Sequence, residues 1–169
     1  ARIDDALTGF WDEFNNTDVF ASVCRYQYPH PQSRFIVPIY FDIDCKENLE
    51  AARQSALTLC ELLTLRLQLD TEQIDIHFNA GCGFHISVDC EVFYPEPSNL
   101  GLDLNRKMAQ KAKEQGVEFV DLSVYCKDRL CRLPNSINGK NGLYKIPLHH
   151  KELMHLRMDK LIDLAKRPR

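Results

Sequence analysis

The chain has 169 residues, 44% hydrophobic and 27% charged, which fits one globular domain and excludes a disordered or collagen-like segment. Formal net charge is −3, from 21 Lys+Arg against 24 Asp+Glu, which argues against coating nucleic acid through bulk positive charge. That total hides a division: residues 1–121 hold 10 Lys+Arg and 20 Asp+Glu, net −10, while residues 122–169 hold 11 and 4, net +7.

In chain order, residues 3–14 read as a helix with Ile3, Leu7, Phe10, Trp11 and Phe14 on one face. Residues 19–27 read as a strand, followed by a Pro29-His30-Pro31 loop and a buried strand over 34–43. Leu49, Ala52, Ala56, Leu59, Leu63 and Leu67 recur at three- and four-residue spacing, which predicts a helix over 46–68. Strands over 73–79 and 84–89 flank the turn Ala80-Gly81-Cys82-Gly83. A helix over 100–115 stops at Gly116, and a strand over 117–124 follows. Asn141-Gly142 signals a hairpin-type turn, and a last helix covers 149–166. Alternating strands and helices predict a mixed α/β (α+β) sheet protein.

Seven cysteines, none in a C-x-x-C pair, do not make a disulfide framework and read as reduced thiols of a cytoplasmic protein. Cys126 and Cys131 with Cys82 or Cys90 lack the spacing of a zinc knuckle, so no zinc is expected. The longest apolar stretch, Phe35 to Phe41, contains Pro38 and ends at Asp42, so no membrane span is expected, and no signal peptide pattern is visible. The ends, Ala1 and Lys166-Arg167-Pro168-Arg169, look like cuts, as if one domain had been excised from a longer protein.

Four segments carry chemistry. In Tyr40-Phe41-Asp42-Ile43-Asp44 an apolar strand runs into two carboxylates two residues apart, which share one face of a strand. Paired carboxylates repel unless a cation lies between them, and their hard oxygens suit Mg²⁺ or Mn²⁺. The plainer alternative makes Asp44 the cap of the following helix. In Asn79-Ala80-Gly81-Cys82-Gly83-Phe84-His85 a glycine-bearing turn can offer backbone N–H groups to phosphate, with His85 leaning over it; the alternative is a sheet-edge histidine bonded to a carbonyl. Asp121 stands on an apolar run, Val120 to Val124, and makes sense as a third metal ligand or as a salt bridge or cap. Arg132 to Gly142 sets two cations, a hydroxyl and amides on a turn-rich loop, which reads as a phosphate contact or a solvated turn.

Taken in order, these segments resemble the motifs of the archaeo-eukaryotic primase superfamily. That family includes primase small subunits, primase-polymerases, polymerase domains of bacterial end-joining ligases and CRISPR-associated primase-polymerases. Its acidic pair is matched by Asp42 and Asp44, its turn and histidine by Gly83 and His85, and its third acid by Val120-Asp121. Pro134, Ser136, Lys140 and Gly142 match its downstream pattern, with Asn138 where histidine is usual. Asn79-Ala80 replaces the family's frequent Ser-Gly, and Gly83 replaces a serine that some members carry.

The resemblance implies a catalytic core of two packed α/β units, one like an RNA-recognition module, with the site in the cleft between sheets. It implies a single catalytic domain over 1–169, with the motifs in 35–148. Asp42, Asp44 and Asp121 would be catalytic and hold two Mg²⁺ or Mn²⁺ ions, while His85, Arg132 and Lys140 would bind phosphates. Asn79, Gly83, Ser136 and Asn138 would complete the nucleotide site. Implied partners are nucleoside triphosphates, template DNA, and helicase or accessory primase domains. Two alternatives compete: an inactive relative that only grips nucleotides or nucleic acid, and a D-x-D glycosyltransferase. The second leaves Asp121 and the 132–142 loop unexplained.

Overall fold

A computed structural model describes residues 17–30, 32–89, 92 and 96–169. The expected helix over 3–14 and Cys90 lie outside the described residues.

The main sheet is organised by a strict alternation. In β4 (Ile39–Asp44), Ile39, Phe41 and Ile43 point to one face and Tyr40, Asp42 and Asp44 to the other. The apolar face continues through Ile74, Ile76 and Phe78 of β5 (Ile74–Phe78) and Phe84, Ile86 and Val88 of β6 (Gly83–Val88). It ends on Ile146 and Leu148 of β8 (Ile146–Leu148), and all of these side chains are buried. The strand order is β4-β6-β5-β8, and every neighbouring pair is antiparallel.

Helix α1 (Leu49–Leu67) covers the apolar face with Ala52, Ala56, Leu59, Cys60 and Leu63. Its cap is Asn48, whose Oδ1 accepts from the Ala51 amide at 3.1 Å, and not Asp44. Asp44 therefore stays on the polar face of the strand. Helix α2 (Gly101–Glu114) ends in a turn at Gly116, where φ is +93°.

The predicted strand over 117–124 is not formed. Phe119 has a left-handed φ of 59°, and Val120 makes a single antiparallel bridge to Ile43. A 3₁₀ turn over 122–124 follows, capped by the Asp121 carboxylate. The predicted helix over 149–166 is two helices, α3 (His150–His155) and α4 (Met158–Leu164). One continuous helix would set Arg157 on the same stripe as buried Leu153 and Leu161. Extended backbone at Leu156 and Arg157 turns the cation outward instead.

Two short ribbons complete the described structure. The first pairs β1 (Phe20–Ser22) with β7 (Leu130–Arg132), Ala21 opposite Cys131. The second pairs β2 (Arg25–Tyr26) with β3 (Phe35–Ile36). The β1–β7 ribbon lies against the polar face of the main sheet, where the Tyr40 hydroxyl and Cys131 Sγ are 3.8 Å apart. Among the described residues no helix is long and apolar enough to cross a membrane.

Candidate active site

Antiparallel register assembles the site. It sets Asp42 directly opposite His85, and His85 opposite His77, along one row of the sheet's polar face. The β1–β7 ribbon walls this face, leaving a pocket of about 360 Å³. Asp42, Asp44, Asn79 and His85 line it from the sheet side, Phe20, Arg129, Cys131 and Arg132 from the ribbon and its approach, and Asn138 and Lys140 from the loop beyond. A larger hollow of about 930 Å³ runs along the β5–β8 edge, but it contains none of the acidic pair. The smaller pocket is where the opposed charges converge.

Asp42 is 2% exposed, so its charge must be met inside the protein. Arg129 donates to Oδ2 at 2.8 Å, and His85 Nε2 lies 3.2 Å from Oδ1. The imidazole is close enough for an ion pair but not aligned for a hydrogen bond, so Oδ1 is a buried carboxylate oxygen without a hydrogen-bond partner. Burial pushes the Asp42 carboxyl up, but His85 and Arg129 outweigh it and hold it below the usual carboxylate range. Burial likewise pushes His85 down, and its ion pair with Asp42 and contact with Cys131 raise it on balance. Each group thus favours the charged form of the other.

Asn79 organises the turn. Its Nδ2 donates to Asp44 Oδ1 at 2.8 Å, and its Oδ1 accepts from the Gly81 and Gly83 amides at 2.9 and 3.1 Å. Those two N–H groups are therefore already bonded within the turn and are not offered to phosphate. Gly83 has a different reason to be glycine: a Cβ there would sit 1.7 Å from the Ile43 carbonyl oxygen and 2.7 Å from Asp44 Oδ1. Asn138 pins the same turn by donating to the Ala80 carbonyl at 3.0 Å.

Arg132 is aimed by its neighbours. Nε donates to Asp18 Oδ1 at 2.8 Å, and the guanidinium stacks 5.1 Å from the Phe20 ring. Asp18 also accepts from the Gly139 amide at 3.0 Å, joining β7 to the Asn138–Lys140 loop.

Of the expected site residues, Asp42, Asp44, Asn79, His85, Arg132, Asn138 and Lys140 meet around one pocket. Three stand off its wall. Gly83 lies beneath it, between strands. Ser136 is fully buried, and its hydroxyl donates to the Leu133 carbonyl at 2.8 Å, which makes it a loop anchor. Asp121 is joined to Asp42 through its own backbone amide, which donates to the Asp42 carbonyl at 2.9 Å. Its carboxylate accepts from the Ser123 amide at 2.8 Å. No group of three or more His, Cys, Asp or Glu positioned to hold a metal ion occurs among the described residues. Sequence reasoning missed Arg129, which follows a short turn with no periodic signal, and weighed Cys131, in β7, only as a zinc ligand.

No protein-family profile matches the chain, and no curated protein sequence matches it. Among solved structures, the chain is similar to a polymerase domain from Mycobacterium tuberculosis Ligase D, determined in complex with DNA. The TM-score is 0.61 at 18% identity, over 87% of this chain and 58% of that one. The chain thus spans a little over half the length of its neighbour, and the likeness is one of fold: a mixed α+β architecture shared with that polymerase domain.

Proposed function

We propose that the chain is a nucleotidyl transferase domain of the archaeo-eukaryotic primase type. It would join nucleoside triphosphates to a 3′-hydroxyl on a DNA template, with release of pyrophosphate. The observation that carries this reading is the pairing of Asp42 and Asp44 with a cationic wall, Arg129, Arg132 and Lys140, around one pocket. The fold likeness to a polymerase domain supports it, as does the order β4-α1-β5-β6-α2 followed by the Val120 bridge. This order supports a ferredoxin-like or RNA-recognition-like unit, β-α-β-β-α-β, with the single Val120 bridge where the last strand would stand and β8 added at the far edge.

The carboxylates on the strand suit Mg²⁺ or Mn²⁺: a buried oxygen of Asp42 without a hydrogen bond and Asp44 on the same strand face. Asp121 would join them only by releasing the Ser123 amide that its carboxylate now caps. The chemistry supplied by such ions is a lowered pKa for the attacking hydroxyl and neutralisation of the leaving pyrophosphate. The residues themselves have separate tasks. Asn79 holds the Asp44 carboxylate in place. His85, whose charged form Asp42 favours, and Arg132, aimed by Asp18, face the pocket as phosphate binders that offset charge developing in the transition state. Phe20 presents an aromatic ring, 46% exposed, at the pocket's mouth.

The test compares triphosphate and template affinities of His85→Ala with those of the native chain. Loss of one charge-assisted phosphate contact weakens triphosphate binding roughly tenfold, with template binding nearly unchanged. A variant that loses template binding and keeps triphosphate binding would overturn the assignment.

A further inference from the structure

The pocket contains a nucleophile that the proposed chemistry does not use. Cys131 Sγ lies 3.4 Å from His85 Nδ1 and 3.2 Å from Lys145 Nζ. Lys145 is 4% exposed, and its hydrogen bonds among the described residues run to this sulfur and to the Arg132 carbonyl at 2.9 Å. A buried ammonium between neutral acceptors is costly, and a thiolate beside it removes that cost. Two nitrogens, His85 Nδ1 and Lys145 Nζ, thus flank the sulfur where it faces the pocket.

We propose that Cys131 is a covalent modification site in the wall of the pocket, a resident thiolate that takes hydrogen peroxide. Its sulfur attacks one peroxide oxygen and the O–O bond breaks. Cysteine is oxidised to sulfenic acid, and peroxide is reduced to hydroxide, which takes a proton from solvent and leaves as water. The added oxygen sits against His85 and beside Arg132, where it would compete with a phosphate group.

The other described thiols do not share this environment. Burial pushes Cys60 up to about 12 and Cys82 up to about 11. Burial acts on Cys131 in the same direction, but His85 and Lys145 outweigh it and bring the thiol well below its ordinary value. Cys126 is exposed and serves as the internal control.

The experiment treats the chain with limiting hydrogen peroxide at neutral pH, traps sulfenic acid with a 1,3-dione, and reads adducts at every cysteine by mass spectrometry. Adduct forms at Cys131 about tenfold faster than at Cys126, following thiolate fraction rather than exposure. Equal rates, or a faster Cys126, overturn the proposal. A second readout rests on the nucleotidyl transferase reading: peroxide abolishes triphosphate binding in the native chain but not in Cys131→Ser. Binding that survives full oxidation of Cys131, or is lost equally in Cys131→Ser, contradicts the site's link to the pocket. If the untreated chain binds no triphosphate, the functional reading fails, while the adduct order still decides the reactivity of Cys131.

Discussion

Gly83 shows how one atom constrains the site. A Cβ at this position would lie 1.7 Å from a backbone oxygen of β4, which no side-chain adjustment relieves. Gly83→Ala therefore pries apart the two strands that carry Asp42 and His85, and lowers unfolding free energy by at least about 3 kcal/mol in denaturant titration. A loss under about 1 kcal/mol would mean that β4 and β6 do not approach this closely. The D-x-D pair was legible in the sequence because strand periodicity alone sets Asp42 and Asp44 on one face. Arg129 and Lys145 were not, since their roles arise from chain crossings that bring residues 87 and 14 positions apart into contact. Ser136 and Gly83 matched a motif by spacing, yet one anchors a loop and the other admits a neighbouring strand.

At the level of elements, α1 and the sheet behave as their patterns demand. Phe84 is fully buried between β4 and β5, so Phe84→Ala costs about 3–5 kcal/mol. Leu65 on the outer face of α1 is 77% exposed, and Leu65→Ala stays within about 0.5 kcal/mol. The same denaturation series checks both, and similar losses at the two sites would contradict the placement of α1. The 3.6-residue period located α1, but the break between α3 and α4 was hidden because residues 156 and 157 carry neither Gly nor Pro. The end of the chain is tied to α3 by Arg169, which donates to both Glu152 oxygens at 2.8 and 3.0 Å. Arg169 holds the Glu152 carboxyl below its usual range. The carboxylate therefore stabilises the fold above the ordinary glutamate pKa of about 4.3, and this contribution disappears as pH falls through the lower folded value. Thermal midpoints of native chain and Glu152→Gln differ near neutrality and converge in acid. A difference that instead grew on acidification would contradict the ion pair.

For the whole molecule, the sequence division of charge has a partial structural counterpart. Of the basic residues beyond 121, Arg129, Arg132 and Lys140 line the pocket. Arg157, Lys166 and Arg169 instead pair with Asp159, Asp163 and Glu152 on the C-terminal helices. Three phosphate-facing cations predict a modest salt dependence for single-stranded DNA, with a log–log slope of roughly −2. A slope steeper than about −4 would bring the C-terminal cations into the interface. The α+β class and the chain positions of β4, β5 and β6 followed from periodicity, whereas their lateral order and the β1–β7 ribbon did not, the ribbon because it joins three-residue segments over a hundred positions apart. The central claim is that Asp42 serves nucleotidyl transfer, and primer extension tests it most directly. With primed template, nucleoside triphosphates and Mn²⁺, the native chain extends the primer, and Asp42→Asn, verified as folded by its thermal transition, loses extension by at least about a hundredfold. Extension that persists in Asp42→Asn, or triphosphate binding without any extension by the native chain, would contradict the account.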